Sequence, residues 1–69
     1  MKDLIVDKNY PGLKTTKYDY ELSGNLRSDG NIKIALDRRL IVTGYIESGW
    51  WIESGSGIKA GSGIKAGLG

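Results

Sequence analysis

The sequence predicts an all-β protein, a short parallel β-helix (a solenoid) of hexad repeats with a non-repetitive N-terminal β cap. Three observations carry this prediction. Residues 46–69 are four successive hexads in register. The residues before each hexad glycine alternate apolar, charged and small, which is the two-residue period of a strand with one buried face. Glycine follows at every fourth position, where a bend is expected because glycine reaches left-handed dihedral angles. A short strand and a bend, repeated without pause, wind into a solenoid.

Each hexad position has its own residue type. Isoleucine holds the first position and glycine the fourth; the second position is charged and the third is Ser or Ala. The first-position residues, expected to point inward, are Ile46, Ile52, Ile58 and Ile64. A helix is rejected, because a six-residue period drifts around a 3.6-residue turn and each interior glycine costs about 1 kcal/mol. Low-complexity disorder, the other alternative, does not require a β-branched residue at every sixth position.

Residues 1–25 carry no hexad, and we expect them to form the cap that a repeat array needs at its end. Leu4–Val6 is predicted to be a short strand, and Pro11-Gly12 a type II turn. Residues 17–22 alternate strictly, which places Tyr18, Tyr20 and Leu22 on one face of a half-buried strand.

Residues 26–69 form the predicted repeat region, and both parts belong to a single domain. Between the cap and the perfect hexads, Leu26, Ile32 and Leu40 follow the same frame if two extra residues lie within 35–39. With three hexads to a coil, residues 18 apart stack, or 20 apart across the insertion. The charged positions then form two ladders of alternating sign, which cross-strand pairing favours: Arg27, Glu47, Lys65 and Lys33, Glu53.

Catalysis is not expected. The chain has no His and no Cys, which removes the commonest acid-base group, the thiolate nucleophile and the usual metal ligands. Glu47 and Glu53 are separated by a contour of about 15–20 Å, whereas paired glycosidase carboxylates lie within about 9.5 Å. There is no phosphate-loop motif. We therefore predict no catalytic residue, no cofactor and no metal.

The charges are scattered rather than grouped, with a net charge of +2, so nucleic acid is not an expected partner. Arg38 and Arg39 are the densest basic point, a possible phosphate contact or an ordinary solvated loop. The apolar run Leu4–Val6 is too short for a signal peptide or a membrane span, and the expected location is the cytoplasm.

The Ile-Lys-Ala-Gly-Ser-Gly repeats of residues 26–69 resemble those of short-repeat β-helix proteins, including the bactofilins, which are polymer-forming bacterial cytoskeletal proteins. That resemblance implies a right-handed, three-faced helix. The left-handed hexapeptide acyltransferases require a small residue where Trp50 and Leu68 stand, and they use a catalytic histidine that is absent here. The Ile-Glu and Ile-Lys runs also resemble small phage and prophage proteins, some of which are anti-CRISPR inhibitors.

Two regions are candidate interaction sites. Trp50 and Trp51 occupy a bend, where one ring can rest on Leu68 and the other can be exposed as a binding hot spot. The last coil, with Ile58, Ile64 and Leu68, is predicted to leave an open edge, which either further chain or a second copy would cover. We expect a rigid module that presents a flat face to a protein partner, such as a phage or mobile-element inhibitor or adaptor. The alternative is a bactofilin-like scaffold that grows end to end.

Overall fold

A computed structural model of the chain describes residues 3–67, and this part is all-β with no helix. Its strands are two to four residues long, as expected for hexads that interrupt each strand with a glycine. In chain order they are β1 (Leu4–Val6), β2 (Lys14–Thr15), β3 (Tyr20–Leu22), β4 (Leu26–Ser28), β5 (Ile32–Ile34), β6 (Leu40–Val42), β7 (Tyr45–Ser48), β8 (Ile52–Ser54), β9 (Ile58–Ala60) and β10 (Gly63–Ala66).

The strands form three separate sheets, with the orders β1-β5-β8, β10-β7-β4 and β2-β3-β6-β9. Neighbouring strands are parallel, except that β2 pairs with β3 in the antiparallel sense. From β3 onward, consecutive strands lie in different sheets in a fixed rotation, so every third strand returns to the same sheet. The β8, β9 and β10 strands each stand at the edge of their sheet.

The strand register confirms the predicted stacking. Leu26 pairs with Ile46, 20 residues along the chain, whereas Ile46 pairs with Ile64, only 18 residues along. The change from 20 to 18 occurs because β3, β4 and β5 precede the segment 35–39, while β6 and the later strands follow it. The predicted two-residue insertion within 35–39 is therefore confirmed.

The core lies between the three sheets and is formed by inward-facing aliphatic side chains. The largest fully buried ones are Leu26, Ile32, Leu40, Ile46, Val6 and Val42. Burial decreases toward the end of the chain: Ile46 is 0% exposed and Ile64 is 48% exposed, with Ile52 and Ile58 between them. Of the four isoleucines expected to point inward, only Ile46 is fully buried, because the strands of the other three each have a neighbour on only one side. The exposure of Ile64 agrees with the open edge predicted for the last coil.

The fourth-position glycines lie in bends, as predicted, but the left-handed dihedral angle expected for them is absent. Within residues 3–67, a positive φ occurs at Gly12, Gly24 and Gly63 and not at the fourth positions. A Cβ at Gly49, however, would lie 1.9 Å from the carbonyl oxygen of Asp29, in the bend that follows β4. The same close approach occurs at Gly61 and Gly67. Glycine is needed there because two backbones approach closely.

The N-terminal segment matches its predictions in part. Gly12 has a φ of +83°, and the amide of Leu13 donates to the Tyr10 carbonyl, as the predicted turn at Pro11-Gly12 requires. The strand predicted over 17–22 begins only at Tyr20, and Tyr18 is 73% exposed. Tyr18 lies in the turn between β2 and β3, which Thr16 closes by donating its hydroxyl to the Asp19 carbonyl at 2.9 Å.

Candidate binding surfaces

The bend between β7 and β8, residues 48–51, is held by hydrogen bonds to the neighbouring strand segment; we name it the tryptophan corner. The buried Ser48 hydroxyl lies 2.7 Å from the Gly30 carbonyl oxygen and 3.1 Å from that of Trp51. The Trp51 amide donates to the side-chain oxygen of Asn31 at 3.3 Å. These contacts fix the backbone that carries both indoles.

Both indoles of the tryptophan corner are exposed, Trp50 by 39% and Trp51 by 55%. The prediction that at least one of the two rings is exposed is therefore confirmed. The predicted contact between Trp50 and Leu68 stays a prediction, because Leu68 lies outside the described residues. An aromatic pair of this exposure on a fixed backbone is a surface that a partner can cover without ordering a loop.

The second surface, which we name the terminal coil, consists of the edge strands β8, β9 and β10. Ile58 is half-buried in β9, and Ile64 of β10 is the most exposed aliphatic residue among the four hexad isoleucines. A shallow cleft of about 310 Å³ lies beside it, lined by Tyr45, Ile46, Glu47, Ser62, Gly63, Ile64 and Lys65. The terminal coil thus joins unpaired strand edges with a partly exposed apolar surface.

The outward charges alternate in sign along the stacked strands, as predicted. Glu47 is paired in register with both Arg27 and Lys65, and Lys33 is paired with Glu53. The Arg27 guanidinium approaches the Glu47 carboxylate at 3.0 Å. Lys59 differs, because its register neighbour in β6 is Ile41. The outward residues of the terminal coil are therefore Glu53, Lys59 and Lys65.

Arg38 and Arg39 have partners within the chain. The Arg39 guanidinium donates twice to the Asp19 carboxylate, at 3.1 and 3.3 Å, and this contact raises the pKa of Arg39 above its usual value. Arg38 donates to the Thr16 carbonyl at 3.2 Å and lies 5.8 Å from the centre of the Tyr20 ring. Both residues attach the insertion to the turn at 16–19; a phosphate contact stays a prediction.

A contact that the sequence did not suggest joins Tyr20 to the insertion. The Tyr20 hydroxyl donates to Asp37 Oδ1 at 2.7 Å, and Lys8 Nζ lies 3.7 Å from the other carboxylate oxygen. The hydrogen bond lowers the pKa of Asp37 and raises the pKa of Tyr20. The only sequence signal is an acidic residue within the segment 35–39, which does not identify its distant partner.

Glu47 and Glu53 lie in different sheets, β7 and β8, so no sheet ladder brings them together. The described residues contain no group of three or more acidic side chains placed to hold a metal ion. Nor do they form any helix that could cross a lipid bilayer.

Comparison of the chain with protein-family models, with curated proteins and with solved structures finds no match in any of the three.

Proposed function

We propose that the chain is a rigid, non-enzymatic binding module, wound as a three-sided β-solenoid, that presents the tryptophan corner to a protein partner. The fixed rotation of strands among three sheets supports the winding. So does the 18-residue register of the last stacked strands, which equals three hexads. A sequence without His or Cys favours binding over catalysis, and we place the module in the cytoplasm.

The exposure of two adjacent tryptophans on a hydrogen-bonded bend is the observation that carries the binding role. Tryptophan is enriched among interface residues with large energetic contributions, and its side chain loses few rotamers when it is covered. Asn31 and Ser48 already hold the backbone of the corner. A partner therefore gains the apolar area of both rings with little conformational entropy lost in this chain.

The partner is proposed to be a protein rather than nucleic acid. Arg38 and Arg39, the densest basic point, already contact Thr16 and Asp19, and a phosphate contact there would have to compete with these partners. The resemblance to small phage proteins supports an inhibitor or adaptor of a phage or mobile element as the biological setting.

The experiment compares binding by matched aromatic variants. A tagged chain is used to isolate a stably bound protein, and the affinity of that protein is then measured by calorimetry. We expect Trp50→Ser with Trp51→Ser to weaken binding by at least about 30-fold, the equivalent of one hot-spot residue. Tyr18→Ser is the control, because Tyr18 is equally aromatic and 73% exposed but lies in another turn. Equal losses from both variants would contradict the proposal.

A second candidate is a scaffold that assembles end to end, as the resemblance to bactofilins implies. The terminal coil supports it, because three edge strands at one end of the molecule can pair with another chain. Negative-stain microscopy separates the two candidates: filaments favour the scaffold, whereas small particles with one bound protein favour the adaptor.

A further inference from the structure

We propose that the terminal coil pairs with that of a second copy about a two-fold axis through β9. In this dimer, β9 pairs with β9 of the second copy, and β8 pairs with its β10. The proposal rests on the solenoid winding proposed above and adds a second contact, separate from the tryptophan corner, with its partner and its register.

A second copy fits the terminal coil because it offers three edges of the same lengths in the same outline. A two-fold axis perpendicular to the solenoid reverses strand direction, so each contact becomes an antiparallel pair, which is a stable arrangement. Head-to-tail stacking fits less well. At the other end of the molecule one sheet terminates in β2, which has two residues and runs antiparallel to its neighbour. A closed dimer is therefore favoured over a filament.

The winding itself selects the axis. A solenoid coil climbs by one strand spacing, about 4.8 Å, so the end formed by β8, β9 and β10 is a ramp with one step, between the end of β10 and the start of β8. The ends of two copies can be in contact along all three strands only if the step of one copy lies against the step of the other. The two-fold axis must then pass through the step and through the strand opposite it, which is β9.

The outward charges test the three possible axes independently. An axis through β9 places Glu53 opposite Lys65 of the second copy, twice, and Lys59 opposite its own counterpart, once. An axis through β8 places Glu53 opposite its own counterpart and Lys59 opposite Lys65, so every pair has like charges. An axis through β10 places Glu53 opposite Lys59, twice, and Lys65 opposite its counterpart. Opposite charges favour a cross-strand pair and like charges oppose it, so charge excludes only the axis through β8, and the ramp selects β9.

The same contact would cover the apolar edge. Ile64 is 48% exposed, and Ile52 and Ile58 are half-buried although they continue the core ladders of Ile32 and Leu40. In the antiparallel pair, Ile64 of one copy lies opposite Ser54 of the other. The end of the core that is open in one copy is closed by the second.

Lys59→Thr is the most selective test, because the register neighbour of Lys59 is Ile41 and no ion pair within the chain is lost. With the axis through β9, the substitution removes a like-charge pair, and we expect the dissociation constant from sedimentation equilibrium to fall about two- to five-fold. With the axis through β10, it removes two favourable pairs, and the constant rises. Lys14→Thr, in β2 at the other end, is the control and should leave the constant unchanged.

Charge exchange gives a second test. Chains with Glu53→Lys and chains with Lys65→Glu should each dimerise weakly, because each homodimer has like charges at both outer pairs. When mixed, they should form a heterodimer with two opposite-charge pairs, detectable by native mass spectrometry. Preferential pairing of Glu53→Lys with Lys59→Glu instead would place the axis at β10 and overturn the proposal. Circular dichroism melts establish whether each variant is folded. If a charge-exchange variant does not fold, the dissociation constant of Lys59→Thr tests the position of the axis instead.

Failure of the dimer and failure of the binding function are distinguishable. A wild-type chain that stays monomeric at all concentrations, with an unchanged β spectrum, would overturn the dimer. The tryptophan variants would still report the binding role in that monomer.

Discussion

Gly49→Ala is predicted to destabilise the protein strongly, although Ala is usually the more favourable residue in a folded chain. A Cβ at Gly49 would lie 1.9 Å from the carbonyl oxygen of Asp29 and 2.7 Å from its carbonyl carbon. Both atoms belong to backbone, which cannot rotate away as a side chain can. The stacked segments would have to separate by about 1.5 Å to reach an ordinary contact.

The expected cost combines two effects. Overpacking of this kind typically costs about 1–3 kcal/mol. Separation also lengthens the hydrogen bond from the Gly49 amide to the Ser28 carbonyl, 2.9 Å in the native structure, which is worth about 0.5–1.5 kcal/mol. The total is about 1.5–4.5 kcal/mol, and in a domain of this size each kcal/mol lowers the melting temperature by about 4–8 °C.

Gly55→Ala is the matched control, because residues 46–49 and 52–55 have the same sequence, Ile-Glu-Ser-Gly. No heavy atom lies within 4 Å of a Cβ at Gly55, and Gly55 is not among the positive-φ glycines. Gly55→Ala should therefore leave the free energy of unfolding unchanged or raise it by about 0.4–1 kcal/mol, because Ala restricts the unfolded chain. Melts followed by circular dichroism and urea unfolding give both values. Equal changes in the two variants would refute the argument that close stacking requires Gly49.

Three further predictions concern stability. Ile46→Ala, at a position with 0% exposure, should cost about 2–5 kcal/mol in urea unfolding, and Ile64→Ala should cost clearly less at concentrations where the chain is monomeric; equal costs would contradict the observed gradient of burial. Lys65→Glu places like charge beside Glu47 and should cost about 0.5 kcal/mol. Lys59→Glu, in the same Ile-Lys-Ala-Gly sequence but with Ile41 as its register neighbour, is the control and should not show this cost. The Tyr20–Asp37 contact lowers the pKa of Asp37 and raises the pKa of Tyr20. Its contribution should therefore be present between about pH 4 and pH 10, lost as the pH falls through the lowered pKa of Asp37, and lost as the pH rises through the raised pKa of Tyr20. Tyr20→Phe should remove this dependence, and an unchanged pH profile would count against the contact.

The repeat pattern was sufficient to predict the strand register, because period and charge alternation are properties of short segments that recur. Leu26, Ile46 and Ile64 could be aligned from spacing alone, and the change of interval after Ile32 located the insertion before any contact was known. The register pairs confirm both. The role of glycine could not be read in this way, because the steric conflict at Gly49 arises from Asp29, in a bend 20 residues earlier.

The candidate surfaces were predicted to different degrees. The exposure of one of the two tryptophans follows from their place in a bend, which the hexad frame identifies, whereas the exposure of both Trp50 and Trp51 does not. The contacts of Arg38, Arg39 and Asp37 depend on how the insertion folds onto the turn at 16–19, and that turn has no repeat to position it. The strict alternation around Tyr18 was misleading, because a hairpin turn placed that residue outside the strand.

Cross-linking by one introduced cysteine tests most directly the claim that the terminal coil pairs with itself through β9. The chain has no native Cys. In an antiparallel β9 pair, position 59 faces its own counterpart at about 4.5–5.5 Å between Cα atoms, within the range that a disulfide bridges. We expect Lys59→Cys to form a disulfide-linked dimer under mild oxidation, whereas Lys65→Cys alone does not and links only to chains that carry Glu53→Cys. A Lys59→Cys chain that stays monomeric while Lys65→Cys links to itself would contradict the account.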